Sequence, residues 1–507
     1  MKKLAKALMV LTSFSVLTRF LGFFFRIFLS RLVGAEGLGV YQISFSIFMV
    51  LETFISSGLP LVVSKQTAIF TEKNDKKSEF GTITASLILG VVTSIIICLV
   101  VLFFNKLFST LFTDTRCLVI LFILLPSLVF SSIYSMLRGN LWGHKKYFFV
   151  SLTEFIEQVI RTVLTVLFLG VLSFSLEKVF LASIAYVFSC VLSSVVVFVL
   201  FRKSGGRFAN PKGYYKSTIK TSLPITLVRV VSSLLMPMIS IIIPYKLVSI
   251  GYTNEQALAI FGVALGMTFP LLYIPSTLIS SLSMTIIPEL SSAVYTQNFD
   301  EVKNKVNFSI KFAIFVSFIF IPLFFALGSP IGLFFYNNLD SGYYLSYSCF
   351  LIVPICLSGV TTSCLNALNL ETRSFINYLI GAILLIICIV FFTAYLGVLS
   401  LVWGMALCLG VASILNILML GKKLGSNFFN IKYLLCAIIS SLPSMFISKW
   451  TFMLVYSRIP LFFSLAISCI LGTTFYLAFC LIFDMYDLSF LKINKKQKGK
   501  NKILNIK

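Results

Sequence analysis

Long apolar segments recur from one end of this chain to the other, and they limit its fold more than any other feature. Runs of 18 or more mainly apolar residues are each long enough to cross a hydrocarbon core of about 30 Å as a helix. Of the 507 residues, 58% are hydrophobic and 11% are charged. Since a soluble domain carries about a quarter charged residues, the sequence predicts an all-α, polytopic integral membrane protein.

About fourteen transmembrane helices account for these segments. We place them at 7–30, 38–64, 81–104, 117–138, 148–172, 179–201, 221–245, 256–288, 307–330, 343–367, 375–397, 399–421, 432–456 and 459–483. The seventh and eighth contain several internal prolines, so we expect them to be kinked or broken. The opening MKKLAKALMVLTSF lacks a signal-peptidase site, and we interpret it as the start of a retained helix.

The basic residues indicate the orientation of these helices. With the N-terminus inside, the cytoplasmic segments hold 30 of the 41 Lys and Arg residues, and the outer segments hold 7. Because short basic loops resist translocation, both termini are predicted to be cytoplasmic. The net charge of +24 therefore marks topology and does not indicate a nucleic-acid partner.

The two halves of the chain resemble each other weakly. LRGNLWGHKKYF (137–148) aligns with LNALNLETRSFI (365–376) at an offset of 228, and SSGLPLVVSK (56–65) aligns with SSLSMTIIPE (280–289) at an offset of 224. Similar offsets in the same order predict two pseudo-symmetric six-helix lobes, an architecture that many transporters share. The predicted parts are an N-lobe at 1–205, a basic linker at 206–220, a C-lobe at 221–425, two further helices at 426–485 and a basic tail at 486–507.

Cysteine and histidine usage excludes several kinds of site. The eleven cysteines are scattered through apolar runs without a C-x-x-C pair, so we interpret them as small hydrophobic residues rather than disulfide or metal ligands. His144 is the only histidine, which argues against Ser-His or Cys-His catalysis. We therefore expect no metal, no cofactor and no enzymatic activity.

Four arginines lie inside predicted spans, at positions 19, 26, 161 and 229. One arginine at the bilayer centre costs roughly 2.5–3.5 kcal/mol on insertion scales. Four would cost on the order of 10 kcal/mol, comparable to the whole stability of a domain. We therefore expect these residues to face a water-filled cavity or a charged partner.

Helical spacing supports a cavity in the first lobe. Arg19 and Arg26 fall on one face of the first helix with Ser15, Gly22 and Ser30. The fifth helix carries a second polar stripe, and the second and seventh helices add one charge each. The candidate substrate-binding residues are Arg19, Arg26, Arg161, Arg229, Glu52, Glu154 and Glu157. Two simpler interpretations stay open: Arg26 snorkels to the interface, and Glu157 and Arg161 form a structural pair at i, i+4.

The stretch TRFLGFFFRIFLSRLVGAEGLGVYQ (18–42) resembles the polysaccharide-transporter branch of the multidrug/oligosaccharidyl-lipid/polysaccharide (MOP) exporter superfamily. Within that branch it is most similar to the stage V sporulation protein B group, relatives of the lipid II flippase. The resemblance implies alternating access between two lobes around a cationic cavity in a bacterial cell membrane. The cargo would be an undecaprenyl-diphosphate-linked sugar, either lipid II or a polysaccharide repeat unit. It would move from the inner to the outer leaflet for peptidoglycan, spore-cortex or polysaccharide biosynthesis.

The resemblance also implies residue roles. Arg19 matches the family's first essential helix-one arginine. Arg26 matches the second only approximately, because one more residue separates the two here. Glu52 stands where the family has a helix-two arginine, and helix eight lacks the expected basic residue.

Two other functions are compatible with the sequence. A drug/cation antiporter of the same superfamily would need acidic residues without a basic excess, yet helix one carries arginines and no carboxylate. A polyprenyl-phosphate-dependent membrane enzyme would need a large outer loop, and the predicted outer connections are short. We expect a monomer whose partners are the lipid-linked glycan and membrane lipid. Transport could be coupled to the membrane potential, H⁺ or Na⁺.

Overall fold

The computed structural model describes residues 2–171, 176–429 and 431–483, and describes only the backbone of residues 2–12, 171, 284, 285 and 288. The regular secondary structure in these ranges is helical. The α-helices are α1 (Lys2–Ser56), α2 (Gly58–Glu72), α3 (Lys76–Phe103), α4 (Asn105–Thr110), α5 (Thr115–Leu124), α6 (Ser127–Gly143), α7 (Tyr147–Val166), α8 (Lys178–Lys203), α9 (Tyr215–Ser233), α10 (Leu235–Ser249), α11 (Asn254–Phe261), α12 (Phe269–Leu272), α13 (Ile274–Tyr295), α14 (Phe299–Tyr336), α15 (Leu339–Ser348), α16 (Ile352–Ala367), α17 (Glu371–Leu396), α18 (Leu399–Leu424), α19 (Ile431–Tyr456) and α20 (Leu461–Ile482). The predicted all-α, polytopic class is confirmed.

Each of the fourteen predicted spans overlaps a helix of the structure. Within the described ranges, eleven helices are long and apolar enough to cross a membrane, or twelve if α5 and α6, which meet at a 43° bend, are one span. This count is lower than fourteen for two further reasons. The segment Ser13–Glu72 is counted once, although the sequence divides it into two spans. The charged helix α7 is too polar to be counted.

Helix α1 is interrupted inside the glycine-rich part of the stretch 18–42. Gly34 has φ +79° and ψ 177°, a conformation that glycine adopts at little cost. Beyond this break, the backbone of Gly39 lies so close to the carbonyl oxygen of Leu258 in α11 that any side chain at position 39 would collide with it. These glycines therefore set the direction of α1 and its packing against α11 and the π-helical turn Gly262–Thr268.

The residues form two compact units. The first contains Met1–Pro270 and Ala382–Gly404, and the second contains Leu271–Gly381 and Met405–Lys507. In the first unit, α1, α6, α7 and α8 pack against one another, and α9 packs against α1 and α2. In the second unit, α14 packs against α15, α16 and α19. The predicted lobes stay a prediction, and they divide the chain differently, since these units group α9–α11 with α1–α8.

The predicted linker 206–220 is a loop only as far as position 214, because α9 begins at Tyr215. The predicted basic tail 486–507 lies outside the described residues.

Buried hydroxyl groups contribute to helix packing. The Ser44 hydroxyl donates to the carbonyl of Val40 in its own helix and to that of Cys117 in α5, both at 2.9 Å. The Ser94 hydroxyl bridges α3 to the Leu128 carbonyl of α6 at 3.2 Å. Small side chains let helices approach closely in lipid, and Ser and Thr hydroxyl groups form hydrogen bonds across the helix contacts. All eleven cysteine thiols are free.

Candidate functional site

A polar cavity of about 220 Å³ lies inside the first unit, between α1, α6, α7 and α8. Its lining residues recur at i, i+3 and i+4, so each helix presents one polar face to the cavity. They are Glu52, Ser56, Ser131, Tyr134, Ser135, Arg138, Glu157, Tyr186, Cys190 and Ser193. The structure therefore brings Glu52 and Glu157, two of the predicted site residues, to one cavity.

Arg161 lies beside this cavity and is already paired. Its Nη2 is 2.5 Å from Oε1 of Glu157, and the two side chains are 20% and 24% exposed. The guanidinium also lies over the ring of Tyr186, 4.8 Å from the ring centroid. The intrahelical pair that the sequence offered as an alternative is present, so the charge of Arg161 is balanced locally.

Arg138, the last residue of the predicted span 117–138, is a member of the site that the candidate residues do not include. Its Nη2 donates to Oε2 of Glu154 at 2.8 Å, and its guanidinium carbon is 5.9 Å from the centroid of the Tyr134 ring. Its Nε is buried without a hydrogen-bond partner among the described residues. The spacing of Ser131, Ser135 and Arg138 on α6 is the signal that could have identified this polar face.

Glu52 differs from the other carboxylates of this cluster. It accepts a hydrogen bond from the Ser131 hydroxyl and has no ion-pair partner in the described ranges. Three carboxylates, at positions 52, 154 and 157, therefore stand beside two guanidiniums, at positions 138 and 161. These five groups, of which Glu154 is 48% exposed, are acidic by one charge, so they do not contain the basic excess of the seven candidate residues.

The remaining candidates, Arg19, Arg26 and Arg229, lie outside this interior cavity. All three are exposed, and within the part of the chain that the structure describes none of them has an ion-pair partner. Gly22, which lies between the two helix-one arginines, faces Gln158 of α7. Exposed and uncompensated, these three guanidiniums carry the basic excess of the predicted cluster.

A second ionic cluster joins three helices near the break in α1. Arg116 at the start of α5 pairs with Glu36, with Asp114 at 2.7 Å and with Glu177 at 3.9 Å. Burial alone would raise the pKa of Asp114, but hydrogen bonds and the charge of Arg116 outweigh it, so the pKa lies below its ordinary value. In the sequence, Arg116 is only a basic residue next to the predicted span 117–138, and nothing in the pattern indicates its partners.

The only histidine belongs to a third polar cluster. Nε2 of His144 is 2.7 Å from Oε1 of Glu79, and the Asn140 amide donates to the same oxygen at 3.1 Å. The Asn140 amide also donates to the Thr67 hydroxyl at 3.1 Å. This network joins α2, α3 and α6 and gives His144 a structural setting. Within the described residues, no group of three or more His, Cys, Asp or Glu side chains is arranged to hold a metal ion.

Comparison with known proteins identifies relatives along most of the chain. Residues 4–294 match the family described as "Polysaccharide biosynthesis protein". Stage V sporulation protein B of Bacillus subtilis (strain 168) is 25% identical over 468 residues, which cover 87% of this chain and 90% of that protein.

Two solved structures share the fold. A lipid II flippase MurJ in an inward closed conformation has a TM-score of 0.70 at 17% identity, covering 94% of this chain and 98% of that one. A multidrug resistance MATE family transporter of the MOP superfamily, in an inward-facing conformation, has a TM-score of 0.67 at 16% identity, covering 82% and 98%. Since one of these proteins is named for lipid II and the other for multidrug resistance, the fold alone does not select a cargo.

Proposed function

This chain belongs to the polysaccharide biosynthesis protein family, and from that membership we propose that it is a flippase for an undecaprenyl-diphosphate-linked sugar. It would move this lipid from the inner to the outer leaflet for peptidoglycan, spore-cortex or polysaccharide biosynthesis. Transport, and not catalysis, is the role we infer, since the solved structures that share its fold are named as a lipid II flippase and as a multidrug transporter of the MOP superfamily. The relatives named for sporulation and for lipid II support this cargo class.

The observation that carries the proposal is the contrast between two sets of arginines. Arg138 and Arg161 are held by carboxylates of the same unit. Arg19, Arg26 and Arg229 are exposed and have no ion-pair partner in the described ranges. An arginine that forms no ion pair with the protein's own carboxylates can form one with an anionic group of the cargo.

The chemistry of a diphosphate explains why unpaired guanidiniums suit it. Moving an isolated anion into hydrocarbon is far too costly to occur unaided. A guanidinium replaces the lost hydration with charge-assisted hydrogen bonds, which are often bidentate with phosphate oxygens. We propose that Arg19, Arg26 and Arg229 make these contacts, while the polyprenyl tail stays in lipid. The translocation step forms and breaks no covalent bond.

The other charged candidates would support this site from within the first unit. Glu157 positions Arg161, and Glu154 positions Arg138. Glu52, which has no cationic partner in the described part of the chain, is the group through which we would expect coupling to H⁺ or Na⁺. We further propose that the protein acts as a monomer with both termini in the cytoplasm, as the distribution of basic residues predicts.

A second candidate function is transport of cationic drugs. The acidic excess of the charged groups at and beside the cavity and the likeness to a multidrug transporter favour it. The exposed arginines oppose it, because they would repel a cationic cargo from the surface of α1.

Reconstitution of the full-length protein in liposomes would separate the two functions. One assay follows the appearance of a labelled undecaprenyl-diphosphate sugar at the opposite leaflet, and a parallel assay follows a cationic dye. Liposomes without protein and a labelled neutral polyprenol are the controls. We expect movement of the diphosphate lipid alone. Movement of the dye without the diphosphate lipid would replace the proposal with the antiporter function.

A further inference from the structure

The segment 202–216 forms an ordered basic surface. The proposed transport mechanism assigns no binding partner to it. Between Lys178 and Asn254 the chain contains no Asp or Glu. Within this stretch, five cations cluster around the connection from α8 to α9, and all five are exposed. They are Arg202, Lys203, Arg207, Lys212 and Lys216. We call residues 202–216 the basic loop.

The basic loop is held against the first unit at several points. The ammonium group of Lys146 donates to the Ser204 carbonyl at 3.0 Å. The backbone amide of Ala209 donates to the Thr84 hydroxyl of α3 at 3.1 Å. The Tyr214 hydroxyl donates to Ser78 at 2.9 Å. The loop is therefore a fixed surface and not a free tether.

Two carboxylates of α3 and its cap lie close in sequence to these contacts, but both are engaged elsewhere. Asp75 caps α3 by accepting from the Ser78 amide at 3.0 Å, and Glu79 is bonded to Asn140 and His144. The cations of the basic loop have no ion pair in the described residues, so their charge is available to an external partner.

An aromatic side chain shows where this surface lies. Phe208 stacks on Phe198, with ring centroids 6.3 Å apart and an interplanar angle of 22°. It also contacts Phe201 at a centroid distance of 5.5 Å. Phe198 is 40% exposed and lies on α8, a helix apolar enough to span the membrane. An exposed apolar face of such a helix contacts lipid, so Phe208 covers the lipid-facing side of α8.

The helix geometry sets the depth of this contact. Phe198 precedes Arg202 by four residues, which corresponds to about 6 Å along the helix axis. Phe208 itself remains 45% exposed. An aromatic ring about 6 Å below a group of cations matches the boundary between acyl chains and headgroups, where aromatic residues and snorkelling cations concentrate.

We propose that the basic loop is a binding surface for anionic phospholipid headgroups, with Phe208 inserted among the acyl chains. The surface carries charge of one sign, because five cations face outward and the loop contains no acidic residue. It is therefore complementary to an anionic surface. Basic groups next to a spanning helix attract anionic lipid by an amount that corresponds to roughly fivefold in binding per cation. This role is independent of the transported cargo.

The test uses the full-length protein with the F208W substitution as a local reporter, in vesicles of phosphatidylcholine with and without phosphatidylglycerol. Unsubstituted protein supplies the background emission of Trp142, Trp403 and Trp450. Quenching of the introduced indole by acyl-brominated lipid reports insertion, and quenching by iodide reports exposure to water. We expect brominated lipid to quench it strongly. Quenching by iodide with none by brominated lipid would overturn the proposal.

Headgroup selectivity is then read from the same reporter, as the ratio of quenching by brominated phosphatidylglycerol to that by brominated phosphatidylcholine. Replacing Arg202, Arg207 and Lys212 with Gln should lower the binding constant for phosphatidylglycerol, relative to that for phosphatidylcholine, by between fivefold and about 100-fold. The matched control replaces three exposed cations at another predicted cytoplasmic site, namely Lys422, Lys423 and Lys432. The control should leave the ratio unchanged. Equal quenching by both lipids before substitution, or an equal loss in the control, would contradict the proposal.

Discussion

Replacing Arg161 with Met should destabilise the first unit, because it leaves Glu157 without its cationic partner beside the interior cavity. Breaking a fully buried ion pair costs about 3–5 kcal/mol. Here the two side chains are 20% and 24% exposed, so the loss belongs at the lower end of that range. The contact of Arg161 with the Tyr186 ring adds a loss of about 0.5–2 kcal/mol. We expect a total decrease in the free energy of unfolding of about 4 kcal/mol.

The assay is thermal unfolding of the full-length protein in detergent. At about 2 °C per kcal/mol, which applies to large domains, R161M should lower Tm by roughly 8 °C. The double variant E157Q/R161M removes the uncompensated carboxylate and should recover most of this loss. The pair Lys303–Asp300, separated by 3.9 Å and with side chains 34% and 93% exposed, supplies the control, because K303M should change stability by less than about 1 kcal/mol.

The double variant tests whether loss of the Glu157–Arg161 ion pair causes the destabilisation. If E157Q/R161M is no more stable than R161M, the pair does not account for the stability effect. If both variants match the unsubstituted protein in stability yet lose transport, Arg161 acts on the cargo and its assignment as a paired framework residue is wrong.

Two further perturbations test the packing and the ionic cluster. G39A should lower Tm by several degrees, because the added methyl group meets the carbonyl oxygen of Leu258. The control G170A should leave Tm unchanged, because a Cβ at Gly170 meets no atom within 4 Å. Equal effects of the two substitutions would contradict the packing described for α1. Because the pKa of Asp114 is lowered by Arg116, its stabilisation is present above the unfolded pKa of about 3.9 and is lost as pH falls through the lower folded value. In thermal unfolding, D114N should therefore be less stable than the unsubstituted protein at pH 7, and this difference should vanish at strongly acidic pH. A difference that does not change with pH would refute the stabilising role of the Asp114 carboxylate.

The fold class and part of the site could be predicted because they depend on local sequence. Hydropathy identifies spanning helices one by one, and the four-residue spacing of Glu157 and Arg161 is enough to propose their pair. The break in α1 was not anticipated in detail, since the sequence placed only a gap between two spans there. Gly34 bends a helix that otherwise continues from Lys2 to Ser56.

The rest of the site depends on contacts between residues distant in the chain. Glu52 and its partner Ser131 are 79 residues apart, and Glu36 and Arg116 are 80 residues apart. Such pairs arise from the way that helices pack, which hydropathy and spacing do not specify. Arg138 illustrates the consequence: at the end of a predicted span it counted as a topological charge, whereas the packing of α6 against α7 and α8 makes it line the cavity.

Lipid translocation by an Arg19→Ala protein is the measurement that tests the proposed mechanism most directly. In cells depleted of their own flippase, exposure of a labelled undecaprenyl-diphosphate sugar at the outer leaflet is compared at matched abundance. Lys106→Ala is the control, because it also removes one exposed cation. We predict that the unsubstituted and Lys106→Ala proteins expose the lipid and that Arg19→Ala does not. Equal exposure by all three proteins would show that the guanidinium of Arg19 does not hold the diphosphate.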